Sequence, residues 1–423
     1  MSQDEVAASE VRPHAGLWAE VQEWLAVHWD PDLPVDEWWR LVAEAGWTAP
    51  HLSVEQGGRG LSRRTPAVVR ACFKEYGALR PPGGLGLLMA APTILTHGTP
   101  EQIERLVPPI LHGQVGWCQL FSEPGAGSDL AGLITRATRD GDRWIINGQK
   151  VWSSEAQVSD YGMLLARTNF DVPKHKGISW FAFQLDQPGV TIRPLREMTG
   201  DAVFNEVFFD DAVVDHADLI GGEDNGWAIT QTTLHFERTG FGAGGAHTGF
   251  PWPGPKGGML GRRAGDGALE DAPNAKLTLT YADVITLAQK LGRATDPLVR
   301  QELARLYAST ETGRWNALRG RAEAKRGGGQ SVASIGKLTQ SRIDKLAANL
   351  AMTVAGPSGL LTGDAGLERG MFAQAMVFSP ASSIYGGTDQ IQRNIAAERT
   401  LGLPREPAPD RDRPYGEVLR DRQ

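Results

Sequence analysis

Apolar residues recur at three- and four-residue steps through residues 17–115. Leu17, Val21, Trp24, Leu25 and His28 fall on one side, with Glu20, Gln22 and Glu23 on the other, the spacing of an amphipathic helix. Asp36 opens a second helix carrying Trp38, Trp39, Leu41 and Val42, and Gly46 stops it. Residues 56–60 read as a loop, Thr65–Tyr76 as another helix, and the Pro-Pro-Gly-Gly run at 81–84 as a break. Pro100 begins a short helix with proline in its first turn. Near Trp117 the texture changes to short alternating segments at 143–146, 161–167, 179–185, 190–194 and 205–210. They are separated by turn residues such as Asn147-Gly148, so a compact β domain is expected here.

From Trp227 the helical period returns, with helices expected over residues 229–236, 281–291, 297–322, 331–355 and 390–401. Residues 247–274 carry too much Gly and Pro for a helix interior and are expected to be a surface excursion or disordered. The division this predicts is an N-terminal helical domain at 1–116, a middle β domain at 117–222 and a C-terminal helical domain at 223–404. A proline- and charge-rich tail at 405–423 follows, expected to be disordered or draped on a neighbouring subunit. Helices, then strands, then helices is an α+β order, unlike the alternation of a dinucleotide-binding sheet, and no Gly-x-Gly-x-x-Gly turn joins a strand to a helix.

Length and composition narrow the function. A chain of 423 residues exceeds one ordinary hydrophobic core, and 41% hydrophobic with 22% charged residues is a globular composition. No apolar run is long enough to span a bilayer, so a membrane protein is not expected, and the first residues lack the basic and apolar regions of a secretory signal. Two cysteines exclude a disulfide framework and a cysteine-based zinc site and fit a reducing, cytoplasmic setting. The nine histidines show no metal-ligand spacing, so no metal is expected. A net charge of −7 gives no reason to expect nucleic-acid binding.

The chemistry lies in three segments: Leu120-Phe-Ser-Glu-Pro-Gly-Ala-Gly-Ser-Asp-Leu130, Ile146-Asn-Gly-Gln-Lys-Val-Trp-Ser-Ser154, and Ile384-Tyr-Gly-Gly-Thr-Asp-Gln-Ile-Gln-Arg-Asn-Ile395 with Glu398-Arg-Thr-Leu-Gly-Leu-Pro404 behind it. The first has little side-chain bulk, so its backbone N–H groups can approach a ligand closely; alone it would read as a tight loop entering the β domain. Trp152 offers a flat apolar face, which alone would read as core packing.

Together, in this order and at these separations, the segments resemble the flavin-dependent acyl-CoA dehydrogenase family along nearly the whole chain. The resemblance implies a helical domain, a β-barrel-like middle domain and a C-terminal four-helix bundle, with FAD as cofactor. It places Phe121 and Ser122 at the flavin pyrimidine edge, Ser128 against cofactor or acyl-CoA, Trp152 on the isoalloxazine and Ser154 beside flavin N5. It also places Thr388 and Gln390 on the adenine side of a neighbouring subunit's cofactor, and Tyr385 and position 386 at the substrate.

Two departures are informative. Many family members carry the catalytic glutamate directly after the tyrosine of the third segment; here that residue is Gly386, which cannot take a proton. Leu234-His-Phe-Glu-Arg-Thr239 resembles the branch whose base sits on an earlier helix, implying Glu237 as base with Arg238 beside the substrate. Read on their own residues, Glu237 and Arg238 would form a surface ion pair. The family's Arg-x-Thr-Phe cofactor grip is matched by Arg293-Ala-Thr-Asp296: Arg293 and Thr295 survive while the aromatic has become Asp296. Arg293 then reads equally as a pyrophosphate donor or as a solvated helix-end arginine.

The implied reaction is α,β-dehydrogenation of a long, branched or bulky acyl-CoA, or of a carrier-protein thioester. Glu237 takes the α-proton, the β-hydrogen leaves as hydride to flavin N5, and electrons pass to an electron-transfer flavoprotein. A donor at the thioester carbonyl stabilises the enolate, and desolvation makes a carboxylate base more basic. The small residues at 239–245 fit close helix packing or a roomy acyl pocket. The alternatives are an acyl-CoA oxidase on the same fold and a flavin-poor structural partner in a mixed assembly; homo- and hetero-oligomer both remain open.

Overall fold

The structure, a computed structural model, describes residues 15–241, 252–268, 277–324, 326 and 330–421. The chain divides into two compact units, one of residues 1–196, 202–273 and 409–423 and the other of residues 197–201 and 274–408.

The first unit begins with α1 (Ala15–His28), α2 (Val35–Glu44) and α3 (Thr65–Tyr76). Their apolar faces meet in a core of Val21, Leu25, Trp38, Trp39, Trp47 and Phe73. Two of these indoles keep their polar edge satisfied inside it: Trp38 Nε1 donates to the Leu79 carbonyl at 2.9 Å and Trp39 Nε1 to that of Arg80 at 3.0 Å. Residues 252–268 correct the expectation of a surface excursion. Met259 and Ala264 are buried in this tryptophan core, Val35 N donates to the Arg262 carbonyl at 2.9 Å, and Ala264 N to that of Leu33 at 2.8 Å. The segment ends in a short helix, α4 (Ala264–Ala268). Glycines and prolines give this segment its turns, while the buried Met259 and Ala264 anchor it. The rest of 247–274, at 247–251 and 269–274, and the small residues at 242–245 lie outside the described residues.

A segment the periodicity leaves unassigned is helical: a π-turn at Gly86–Ala90 running into α5 (Ala91–His97). Its Gly-rich start and Pro92 hide it. After α6 (Pro100–Leu111), capped reciprocally by Thr99 and Gln102, come eight strands. These are β1 (Trp117–Leu120), β2 (Arg136–Asp140), β3 (Arg143–Lys150), β4 (Tyr161–Arg167), β5 (Ile178–Gln184), β6 (Val190–Leu195), β7 (Phe204–Asp215) and β8 (Leu219–Ile220). They form one sheet in the order β6-β7-β3-β2-β4-β5-β8, with β1 paired parallel to β4.

The two-residue period sorts side chains to opposite faces. Met163, Leu165, Trp180 and Ala182 join Trp117 and Phe121 in a core that also takes in Ile94, Ile110 and Ile229. Leu164, Ala166, Phe181 and Phe183 join Trp144, Ile146 and Val207 in the other. Asn147-Gly148, expected as a turn, is instead a bulge inside β3: the register on β7 shifts between Ile146 and Gly148, where Gly148 has φ +145° and a Cβ would lie 2.7 Å from Thr135 Oγ1. The glycine is required by close backbone approach rather than by chain reversal. Helix α7 (Gly226–Phe241) packs on the first of these faces.

The tail also corrects its expectation. It ends in α8 (Tyr415–Asp421) and belongs to the first unit. Tyr415 is buried; its Oη donates to the Gly132 carbonyl at 2.6 Å and its ring stacks 4.2 Å from the buried Arg167 guanidinium carbon.

The second unit is helical: α9 (Tyr281–Lys290), α10 (Pro297–Ala324), α11 (Gln330–Ala355), α12 (Met371–Phe378) and α13 (Asp389–Ile395). Leu287, Leu306, Ala347, Leu350, Val354 and Phe372 form its core. Thr280 starts α9 with a capping box, accepting from Asp283 N while Asp283 accepts from Thr280 N.

Candidate active site

In the first unit, the turn after β1 and the end of β3 are tied together. Val151 N donates to the Ser122 carbonyl at 2.9 Å. Lys150 Nζ donates to the Phe121 carbonyl at 3.0 Å and to Glu123 Oε1 at 2.8 Å, with both charged side chains buried. Glu123 in turn accepts from the backbone N–H of Ile134 and Thr135. Burial alone would raise the Glu123 pKa; the Lys150 ammonium and these donors outweigh it and hold the carboxyl below its ordinary value. Sequence reading missed this pair. Its signal was a glutamate in the first segment and a lysine of opposite charge in the second.

Phe121 is buried in the core while Ser122 is half-buried and Ser128 exposed. Gly125 and Gly127 have no heavy atom within 4 Å of a built Cβ and no left-handed φ. Neither packing nor backbone geometry within the chain requires them to be glycine, as a surface approached closely by a ligand would. Trp152 is 57% exposed, whereas Trp144 and Trp180 of the same sheet are buried. Its backbone sits at φ +61°, held by the reciprocal pair Ser153 N to Asn205 O and Asn205 N to Ser153 O, each 3.1 Å. The indole rests edge-on against Phe204 at 5.7 Å. Ser154 is half-buried, and the buried Ser153 Oγ has no hydrogen-bond partner among the described residues. An open indole face, an adjoining hydroxyl and a turn stripped of side chains fit a planar, phosphate-bearing cofactor such as FAD.

Helix α7 is seated by its entry. Asp224 accepts from Thr168 Oγ1 at 2.6 Å and from Asn169 Nδ2 at 3.2 Å, and its N–H donates to Ser179 Oγ at 2.9 Å. Ile229, Thr230 and Thr233 are fully buried, and Thr233 meets Thr93 at 3.1 Å. Glu237, one turn beyond Thr233 on that stripe, is half-buried, and Gln119 Nε2 donates to its Oε2 at 3.5 Å. Arg238 lies in α7, with its side chain outside the described residues.

In the second unit, Arg293 is turned onto its own chain. It donates to the Thr353 carbonyl at 2.7 Å and to Asp296 Oδ2 at 3.1 Å. Asp296 Oδ1 accepts from Leu298 N at 2.9 Å and Val299 N at 3.4 Å, so the residue standing where the family has an aromatic caps α10. Thr295 is exposed. Thr388 is the N-cap of α13, accepting from Ile391 N at 3.2 Å, and Gln390 is exposed. Tyr385 is 39% exposed; burial, then Asp344, pushes its phenol up to about 12. Gly386 has φ +62° and an ordinary 3.6 Å approach of a built Cβ to Lys337 Cε. Its backbone therefore offers a local reason for glycine besides the clearance of a base.

The comparisons agree with this architecture. The chain matches the acyl-CoA dehydrogenase N-terminal domain over residues 2–114, the middle domain over 118–212 and the C-terminal domain over 276–401. It therefore belongs to the acyl-CoA dehydrogenase family, the FAD-dependent oxidoreductases of acyl thioesters. Acyl-CoA dehydrogenase IpdE1 of Mycobacterium tuberculosis is 38% identical over 377 residues, covering 87% of this chain and 88% of that one. Among solved structures, the Tcur3481-Tcur3483 steroid ACAD superposes with a TM-score of 0.71 at 25% identity, covering 93% of this chain and 98% of that one. The ChsE4-ChsE5 complex of Mycobacterium tuberculosis does so with a TM-score of 0.67 at 27% identity, covering 96% and 99%. Among the described residues no helix is long and apolar enough to cross a membrane, and no cluster of metal-ligating side chains is found.

Proposed function

We propose that this chain dehydrogenates the CoA thioester of a bulky, ring-bearing acyl group, with Glu237 as the base that removes the α-proton. The observation carrying this reading is the position of Glu237. It lies half-buried on the core-facing stripe of α7, one turn past the fully buried Thr233, with the Gln119 amide N–H directed at its carboxylate. Bound FAD supplies the acceptor for the β-hydrogen. Trp152 offers that ring a flat face, Ser154 a hydroxyl beside it, and the 122–128 turn backbone donors free of side-chain obstruction. Glu237 takes and holds the α-proton at a carboxylate oxygen, the role of a general base.

The acyl group is read as ring-bearing because a structural relative is a steroid ACAD. Electrons pass from there to an electron-transfer flavoprotein; an oxidase would instead consume oxygen and form peroxide.

The test is anaerobic reduction of purified enzyme by a steroid acyl-CoA. Glu237→Gln retains its yellow colour and loses substrate bleaching by about three orders of magnitude or more. Flavin reduction at near the parent rate would remove Glu237 from the reaction.

A second reading, as one chain of a mixed assembly, is favoured by Arg293. Its guanidinium is committed to Asp296 and to helix-end carbonyls, so a related chain supplies the cofactor's phosphate grip. Sedimentation of the chain alone and with candidate partners, read together with flavin per chain, tests it. Full flavin occupancy in a homomer refutes it.

A further inference from the structure

We infer that Gln119 is a positioning residue for the proposed base: its amide orients the Glu237 carboxylate toward substrate. The inference rests on the assignment of Glu237 above and adds a residue that neither the motifs nor the family comparison singles out.

Gln119 is anomalous where it stands. Along β1 the alternation sends Trp117 and Gln119 to one face, and Phe121 follows them beyond the strand end. Trp117 and Phe121 are buried apolar residues of one core, and so is Met163, the residue paired with Gln119 on β4. A glutamine here places an amide where every neighbour in the pattern is apolar, which costs free energy unless the amide is hydrogen-bonded. The partner found is Glu237, with Gln119 Nε2 3.5 Å from Oε2. An ionised carboxylate only accepts hydrogen bonds, so the amide must present its NH2 group, and a donor to the charged form is stronger than a neutral pair.

Two further features suit orientation. Glu237 is half-buried one turn beyond the buried Thr233, where a long side chain has several rotamers, and a fixed donor on a strand reduces them. Gln119 also lies two residues before Phe121 on the same continuous backbone. The donor that aims the base is therefore fixed to the segment that ends at the 122–128 turn. A base displaced by an ångström loses rate far out of proportion to the lost hydrogen bond.

The experiment compares Gln119→Met, which keeps the size and removes the donor, with Gln119→Asn, which keeps an amide but withdraws it by one methylene. Both are measured in the flavin-loaded enzyme by anaerobic stopped-flow, separating the limiting bleaching rate from substrate Kd. The expected result for Gln119→Met is a limiting rate about 10- to 100-fold lower, an unchanged Kd within about twofold, and a larger isotope effect with α-deuterated substrate. Gln119→Asn falls between Met and parent, and also serves should the Met variant not fold. In a Glu237→Gln background Gln119→Met costs nothing further. A readout independent of turnover is thermal unfolding of the flavin-free protein: the two substitutions are non-additive in midpoint.

A parent-like limiting rate in Gln119→Met, or a loss carried wholly by Kd, overturns the inference while leaving Glu237 as base. A Glu237→Gln enzyme that still bleaches overturns the assignment itself.

Discussion

Lys150 and Glu123 form a 2.8 Å ion pair with both side chains buried, and the same ammonium holds the Phe121 carbonyl. The pair joins β3 to the turn that bears Ser122 and Ser128. Removing one partner leaves the other charge buried and uncompensated, which costs about 3–5 kcal/mol. Lys150→Met is therefore expected to lower the thermal midpoint strongly and to reduce FAD content, read from the visible-to-ultraviolet absorbance ratio. The double variant Lys150→Met/Glu123→Leu is expected to recover much of the stability.

The same pair gives a pH dependence with a definite sign. Because the Glu123 carboxyl is held below its ordinary value of 4.5 in the folded chain, folding favours its charged form. That stabilisation is complete above the ordinary value and is lost as pH falls through the depressed one. Thermal midpoints of parent and Glu123→Gln, taken from about pH 7 down to about pH 3, should converge at the acid end. Parallel curves would show that Glu123 does not titrate with unfolding.

Trp152 pits backbone against cofactor. At φ +61° a side chain costs about 1 kcal/mol that glycine does not. Trp152→Gly is expected to unfold at a higher temperature than Trp152→Ala, while both lose flavin to a similar extent. Equal flavin content in parent and variants would remove the indole from the cofactor site.

Tyr415→Phe removes the donor to the Gly132 carbonyl and should cost about 1 kcal/mol. Ending the chain at residue 408 also uncovers the Arg167 guanidinium face and should cost more. Chemical denaturation of the three proteins orders them, and a truncated chain as stable as the parent would contradict the docking.

Much of the fold was legible because its signals are local. Residues 65–76 and 161–167 show the helical and two-residue periods, and the structure forms an element at each. The misreadings came where long-range packing overrides local preference. Asn147-Gly148 looks like a reversal, yet β7 lies alongside and absorbs the extra residue as a bulge. The tail looks unstructured by composition, yet Tyr415 finds the Gly132 carbonyl, 283 residues away in sequence, and the buried Arg167, separations no periodicity reports. For the candidate site, the motifs pointed to positions and the structure supplied their supports: Asn205 beneath Trp152, Asp224 at the entry to α7, and Asp296 as a cap where an aromatic was expected. The motif comparison alone gave no account of Asp296; its two backbone partners do.

Met259 and Ala264 occupy the tryptophan core of α1, α2 and α3, although they arrive from more than 180 residues later in the chain. Shuffling experiments inherit a constraint from this. A hybrid that joins the leading helices of this protein to the trailing portion of a relative must import residues 252–268 as well, or leave a hole among the indoles. Modules exchanged at the apparent domain seams would thus misfold in the half that was never altered.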